Sequence, residues 1–323
     1  MRCKIPVVPA AAAALALVAA AACSGGSGGQ VPEAGGEPVP VTAGVIPIVD
    51  VAPIYLGQEQ GFFAERGIEL TIETGSGGAA SVPGVMSGNY QFAFANVTSL
   101  LVGAHEGLPL QVLTNGASSN GEQGGDFGAV VVPADSPVRS AADLAGAEVA
   151  VNNLQNIGDT SVRESIRQDG GDPTAVRFVE LGFPDMPAAV ETGRVDAAWI
   201  VEPFLTQALE SGAREIASNF VDVDENLSIA TYFTSAPIAA ENPELIDAIT
   251  EALNESMAYA DANPDEVRRI LATYTEIEPE VIERIRLPRF PAEVDRGSVT
   301  TVAELMVADG LIDAAPDWDE FYR

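Results

Sequence analysis

Few residues in this chain could carry covalent chemistry, and their types and spacing rule out most routes to it. His105 is the only histidine, and Cys3 and Cys23 are the only cysteines. Neither a Ser-His-Asp triad nor a His/Cys zinc set can be assembled from them. No G-x-S-x-G occurs. The string TGSGG at 74–78 has no Gly-Lys-Ser/Thr behind it, so it is not a phosphate loop. It reads either as a plain turn or as a helix entrance whose free N–H groups approach a ligand. DVDENL, starting at Asp222, imitates a calcium loop, but Leu227 stands where glycine is needed and Phe233 where a bidentate glutamate is needed. A glycosidase needs only two carboxylates, and the chain holds 47 acids. An extracytoplasmic hydrolase with paired carboxylates is therefore the enzyme-class alternative.

Strands alternating with short helices are the elements that must position whatever chemistry there is. In IELTIE, Ile68, Leu70 and Ile72 alternate with Glu69, Thr71 and Glu73, the period-two pattern of a strand with one wet face. Strands are expected at 41–45, 68–73, 91–95 and 110–114, and again at 130–132, 148–151, 176–181 and 195–200. Helices lie between them, and beyond Tyr232 the pattern is almost wholly helical. This alternation predicts mostly parallel sheets covered on both faces. The polar, Gly-rich stretch at 115–126 separates the two runs. The roughly 280 residues after position 40 exceed what one core comfortably holds, so two lobes are expected.

Arg2 and Lys4 followed by an Ala/Leu/Val run read as a signal peptide over 1–22 rather than a spanning helix. The formal charge of −31 excludes nucleic acid and anionic lipid surfaces as partners, and 47% hydrophobic composition argues for a packed globule.

Two resemblances sharpen this reading. AAAC, ending at Cys23, resembles a bacterial lipobox, which implies that Cys23 is lipidated and that 23–40 tethers the protein to the outer face of the cytoplasmic membrane. An ordinary Ala-rich signal peptide is the alternative. LGQEQGFFAERGIELTIETGSGG, SGNYQFAFA, PLQVLTNG, SPVRSAADLAGAEVAV, FVEL and ETGRVDAAWIVEPF together resemble, in order and spacing, the solute-binding proteins of nitrate, sulfonate, taurine and thiamine-pyrimidine ABC importers. The resemblance covers nearly the whole mature chain. It implies a type II periplasmic-binding-protein fold of two α/β lobes with a two-segment hinge. Lobe one would be 41–115 with 234–323 and lobe two 116–233, with crossings near Asn115 and Tyr232. It further implies a monomer that binds a small solute by hinge closure, passes it to a permease and ATPase, uses no cofactor and catalyses nothing. The related proteins that make thiamine pyrimidine by consuming their own histidine need cysteines and a histidine that this chain lacks.

In open α/β sheets the crevice lies beyond the strand C-termini. That rule selects Ile48, Asp50, Gly77, Asn96, Thr98, Asn115, Asn153, Gln155, Asn156, Gly158, Phe183, Asp185, Trp199, Glu202 and Tyr232. Trp199 could equally be core, Glu202 could shape the hinge, and Asp159 could merely cap its helix. Only Arg163 among the arginines could reach the cleft. Acids without basic partners, beside Phe183, Trp199 and Tyr232, suit an amine or nitrogen-bearing ring such as an aminopyrimidine. A sulfonate, taurine or nitrate held by helix N-termini is the alternative ligand class.

Overall fold

The computed structural model describes residues 37–323. The signal peptide, Cys23 and most of the tether lie outside the described residues. The first run of elements is β1 (Val39–Val45), α1 (Ala52–Gln60), β2 (Ile68–Thr74), α2 (Gly78–Met86), β3 (Phe92–Asn96), α3 (Val97–His105) and β4 (Leu110–Ser118). The second comprises β5 (Gly128–Val132), β6 (Glu148–Val151), α4 (Ile157–Gln168), β7 (Arg177–Glu180), α5 (Met186–Glu191), β8 (Ala197–Val201), α6 (Phe204–Glu210), β9 (Arg214–Ala217) and α7 (Asn219–Val223). The chain then returns through β10 (Ser228–Ser235) and finishes in helices, among them α8 (Ala236–Glu241), α9 (Pro243–Ala262) and α10 (Pro264–Leu271).

These strands build two five-stranded sheets, ordered β2-β1-β3-β10-β4 and β7-β6-β8-β5-β9. In each sheet one strand runs against its neighbours, β10 in the first and β5 in the second. The reason is topological. β4 ends at its sheet's C-terminal edge and crosses to the other lobe, so β5 must start at the facing edge and run away from it. β9 and β10 repeat this on the way back. The fold is a two-lobed type II α/β binding-protein fold.

Two details depart from the sequence expectation. β4 continues to Ser118, so Asn115 is a strand residue and the first crossing follows it. β10 begins at Ser228 within the first sheet, so Tyr232 is interior to a strand rather than at a crossing. Every residue of SIATYFTS is buried, so no wet face marks it as a strand.

The GFFAERG turn shows how the first lobe is pinned. Gly61 and Gly67 take φ of +87° and +69°, a region open to glycine, and let the chain double back from α1 into β2. Phe63 is only 1% exposed, and Phe62 meets Tyr259 of α9 edge-on at 5.8 Å. Gly57 lets α1 approach α9 so closely that an added Cβ would sit 1.8 Å from Ser256 Oγ. Phe63→Ala is expected to cost about 3–5 kcal/mol of stability, the usual loss for a buried phenylalanine. Chemical denaturation measures it, and a loss below about 1 kcal/mol would show that the turn is not pinned this way.

Candidate ligand-binding cleft

Three contacts bring the C-terminal loops of one sheet against those of the other. Asn96, ending β3, donates from Nδ2 to Oδ1 of Asn156, in the loop after β6, at 2.7 Å. Asn156 Nδ2 donates in turn to Ser99 Oγ on α3 at 2.7 Å. The Val49 amide, after β1, donates to the Glu202 carbonyl, after β8, at 3.2 Å. At the third contact, after β2, Gly77 lies so near Asn153 that a Cβ would stand 2.2 Å from its Oδ1. Glycine there is a matter of close approach, since φ is an ordinary extended −175°.

Asn96 and Asn156 are the N-caps of α3 and α4, yet neither side chain caps its own helix. Each is spent across the cleft, which leaves two helix entrances with first-turn N–H groups that no cap residue satisfies. Thr98, in the first turn of α3, is fully buried and its Oγ1 has no partner among the described residues. Asp159, in the first turn of α4, accepts the Gln155 amide on Oδ2 at 2.9 Å, while its Oδ1 has no partner. Burial pushes the Asp159 carboxyl up to about 6, against the pull of the Gln155, Asn156 and Asp159 amides and the charge of Arg163.

Asp50 sits on the turn that follows β1 and is 2% exposed. Its Oδ1 has no partner among the described residues, and neither has the hydroxyl of Tyr232. Burial pushes the Asp50 carboxyl up to about 7; its backbone amide opposes the rise and the charge of Asp126 adds to it. Burial also holds the Tyr232 phenol far above its ordinary range, with Tyr55 and Asp50 adding to the effect. Tyr232 is therefore a neutral hydroxyl beside a carboxyl that changes charge near neutrality. Tyr55 and Tyr274 stack at 4.0 Å and 5° alongside, and the Tyr274 hydroxyl donates to the Ile48 carbonyl at 3.0 Å.

In the second lobe Trp199, 2% exposed, lies beneath the first turn of α4. A Cβ on Gly158 would meet its ring at 2.5 Å. Phe183 and Phe220 pack edge-on against it at 5.3 and 5.8 Å. Its Nε1 has no partner among the described residues.

Several expected site residues are engaged elsewhere or lie in solvent. Glu202 is fully buried, and its carboxylate already accepts from Thr206 Oγ1 at 2.7 Å, Thr206 N at 3.0 Å and Arg286 N at 3.1 Å. Burial raises it to about 7 against those same donors. Asn115 donates to Ser118 Oγ and the Pro291 carbonyl, tying β4 to the C-terminal segment. Asp185 and Gln155 are exposed, the latter in a left-handed turn at φ +55°. Arg163 donates to the Pro173 carbonyl at 2.7 Å and lies over the Phe178 ring. Sequence reasoning missed Tyr55, Tyr274 and Asp126. Tyr274 has no local signal, because its partner Ile48 lies 226 residues away.

With the cleft's geometry in place, comparison decides the family. The family described as NMT1/THI5 like matches residues 48–267. The chain belongs to that family. A putative aliphatic sulfonates-binding protein of Escherichia coli (strain K12) is 27% identical over 143 residues, 44% of this chain and 44% of that one. The chain's match thus spans less than half of that relative's length. Among solved structures, the ligand-binding component of an ABC-type import system from Staphylococcus aureus, with zinc bound, has a TM-score of 0.75 at 12% identity, covering 88% of this chain and 96% of that one. The alkanesulfonate-binding protein SsuA from Xanthomonas axonopodis pv. citri, bound to MOPS, gives 0.72 at 18%, covering 86% and 95%. The nitrate-binding protein NrtA from Synechocystis PCC 6803 gives 0.73 at 15%, covering 89% and 86%. At these identities the likeness supports the fold. Among the described residues no group of three or more His, Cys, Asp and Glu is arranged to hold a metal, and no helix is long and apolar enough to cross a membrane.

Proposed function

We propose that this protein captures a small solute between its lobes outside the cytoplasm and delivers it to an ABC importer, with no chemistry of its own. The observation that carries this reading is the pair of buried groups, Asp50 Oδ1 and Tyr232 OH, that have no partner among the described residues, next to the turn where Val49 meets Glu202 of the other lobe. A polar atom buried without a hydrogen bond costs on the order of 1–3 kcal/mol. A ligand that supplies both bonds recovers that cost on closure. The similar sulfonates-binding protein and ABC-import ligand-binding component support the same reading, and a paired-carboxylate hydrolase gains nothing from it. Glu202 is already saturated by Thr206 and Arg286, and Asp185 faces solvent, so neither is set up as a catalytic carboxylate.

The ligand class follows from charge. The loops at 48–50, 75–78, 96–98, 153–159, 183–185 and 199–202 contain no lysine or arginine. Asp50 and Asp159 suit an amine or aminopyrimidine whose nitrogens donate, with Phe183 and Trp199 beneath one wall. A second reading, a sulfonate or nitrate, is favoured by the open first turns of α3 and α4 and by what the relatives bind.

pH separates the two. A cationic ligand needs Asp50 ionised, so its affinity should rise about tenfold per unit of pH up to about 7 and then level off. An anion that accepts a hydrogen bond from protonated Asp50 should instead bind evenly below about pH 7 and weaken above it. Calorimetric titration at pH 5.5, 6.5 and 7.5 reads the sign. Affinity that falls as pH rises contradicts the amine reading and leaves the transport reading intact.

Cys23 is proposed as the acylated N-terminus, with the tether running from it to the start of β1 at Val39; lobe one as 39–118 with 228–323 and lobe two as 119–227 move as the two bodies of a monomer. Cys23→Ser is expected to shift the protein from the membrane to the soluble fraction. Unchanged partition in a fractionation blot would contradict the anchor.

A further inference from the structure

Two covalent segments join the lobes, and both are gripped by a third piece of chain. Residues 287–292 lie along the end of β4 and the first crossing. Ser118 and Arg289 exchange both backbone hydrogen bonds at 3.0 Å, the Asn115 amide donates to the Ala292 carbonyl at 3.1 Å, and Asn120 Nδ2 donates to the Leu287 carbonyl at 3.3 Å. The Arg289 guanidinium reaches both crossings at once. It donates to the Ser119 carbonyl at 2.8 Å on the first, and to the Glu225 carbonyl and Asn226 Oδ1 at 3.2 and 3.0 Å on the second.

Three residues earlier the same segment holds the second lobe instead. The Arg286 amide donates to Glu202 Oε1 at 3.1 Å, at the end of β8. Its Nη1 donates to the Asp126 carbonyl at 3.2 Å and to Glu215 Oε2 of β9 at 2.8 Å. Arg284 pairs with Glu210 of α6. The Arg284–Glu210 pair is exposed at 55% and 37%, so water and salt leave it with little weight. The Arg286–Glu215 pair, at 23% and 16%, is screened less and is the stronger grip.

We infer that residues 284–292 form a non-covalent strap across the hinge, and that Arg286, through Glu215, is a positioning residue biasing the lobes toward the touching arrangement before any solute arrives. A hinge opening about the two crossings moves β8 and β9 relative to β4. The strap's end at 289–292 is bonded to β4, so the hold of 284–286 on β8, β9 and α6 is what such a rotation must break. This explains why the buried Glu202 carboxylate accepts an amide from a residue 84 positions away. It also gives Arg286, which does not line the cleft, a part in solute capture: a population already closed lowers the share of binding energy that closure consumes. The inference goes beyond the solute reading and is tested without a ligand.

The test measures distance between the lobes in ligand-free protein. Ala80→Cys on α2 and Asp185→Cys on the second lobe, both exposed, are spin-labelled in a Cys3→Ser, Cys23→Ser background and read by pulsed dipolar spectroscopy. Arg286→Gln and Glu215→Gln should each raise the open-to-closed ratio about tenfold, equivalent to about 1.4 kcal/mol. The double variant should open no further than either single one, because both remove the same pair. Glu215→Gln, on the half-buried short strand, guards against misfolding in the arginine variant. An unchanged or shorter distance in both single variants, whether or not the melting temperature falls, overturns the inference.

Discussion

Asp50→Asn is expected to weaken solute binding about a hundredfold or more while raising the melting temperature of the ligand-free protein above pH 7. The two effects have one cause. Asp50 is 2% exposed and its Oδ1 lacks a partner, so above its raised value of about 7 the folded protein carries an unpaired buried charge. The difference from 3.8 in the unfolded chain corresponds to on the order of 4 kcal/mol at 1.36 kcal/mol per unit. Asparagine removes the charge at nearly constant shape, and part of that cost is recovered, offset by an amide that itself needs partners. A gain of about 1–2 kcal/mol would raise the melting point by several degrees in a chain of this size. Losing a charged hydrogen bond to a ligand costs more than losing a neutral one, which sets the hundredfold figure. Tighter binding by the variant, or a melting point lowered at pH 8, would remove Asp50 from the site.

The second large effect is the dependence of stability on pH. Asp50 and Glu202 sit at about 7 and Asp159 at about 6 in the folded chain, against 3.8 for aspartate and 4.5 for glutamate unfolded. All three are raised by burial. Between about pH 4 and pH 7 the folded protein therefore holds protons that the unfolded chain has released. Stability conferred by these groups is full below pH 4 and is lost as pH rises through 6 and 7. The charge of −31 works in the same direction, since self-repulsion grows as acids ionise. Ligand-free protein should melt several degrees higher at pH 5.5 than at pH 8. A melting point that climbs across that interval would show that the three carboxyls are solvated or paired.

What the sequence revealed depended on whether the information was local. β2 was legible because Glu69 and Thr71 face water while Ile68 and Leu70 do not. β10 was not, because both its faces are buried and its serines and threonines break the apolar run. The mostly parallel sheets were legible in the alternation of elements; the one antiparallel strand in each follows from the crossings, which no short window encodes. The rule that crevices lie beyond strand C-termini selected Asn96 and Asn156, which hydrogen-bond each other, and Gly77 and Asn153, which lie side by side; Asp50, selected by the same rule, is buried on its turn beside Tyr232. Glu202 satisfied the same rule, but its carboxylate is saturated by Thr206 and by Arg286. Tyr55, on α1, and Tyr274, in the turn after α10, come from far apart in the chain, and only the packed fold stacks them beside Asp50.

The most direct test of solute capture is a thermal-shift panel on the purified protein, using amines, aminopyrimidines, sulfonates, nitrate and carboxylates, with each solute recovered and weighed against what was added. A ligand present at about 100 times its dissociation constant adds about 2.7 kcal/mol of stability. The account predicts that an amine or aminopyrimidine raises the melting point, that Asp50→Asn abolishes the rise, and that the solute is returned unchanged. Steady conversion of any of these solutes by repurified protein would contradict it.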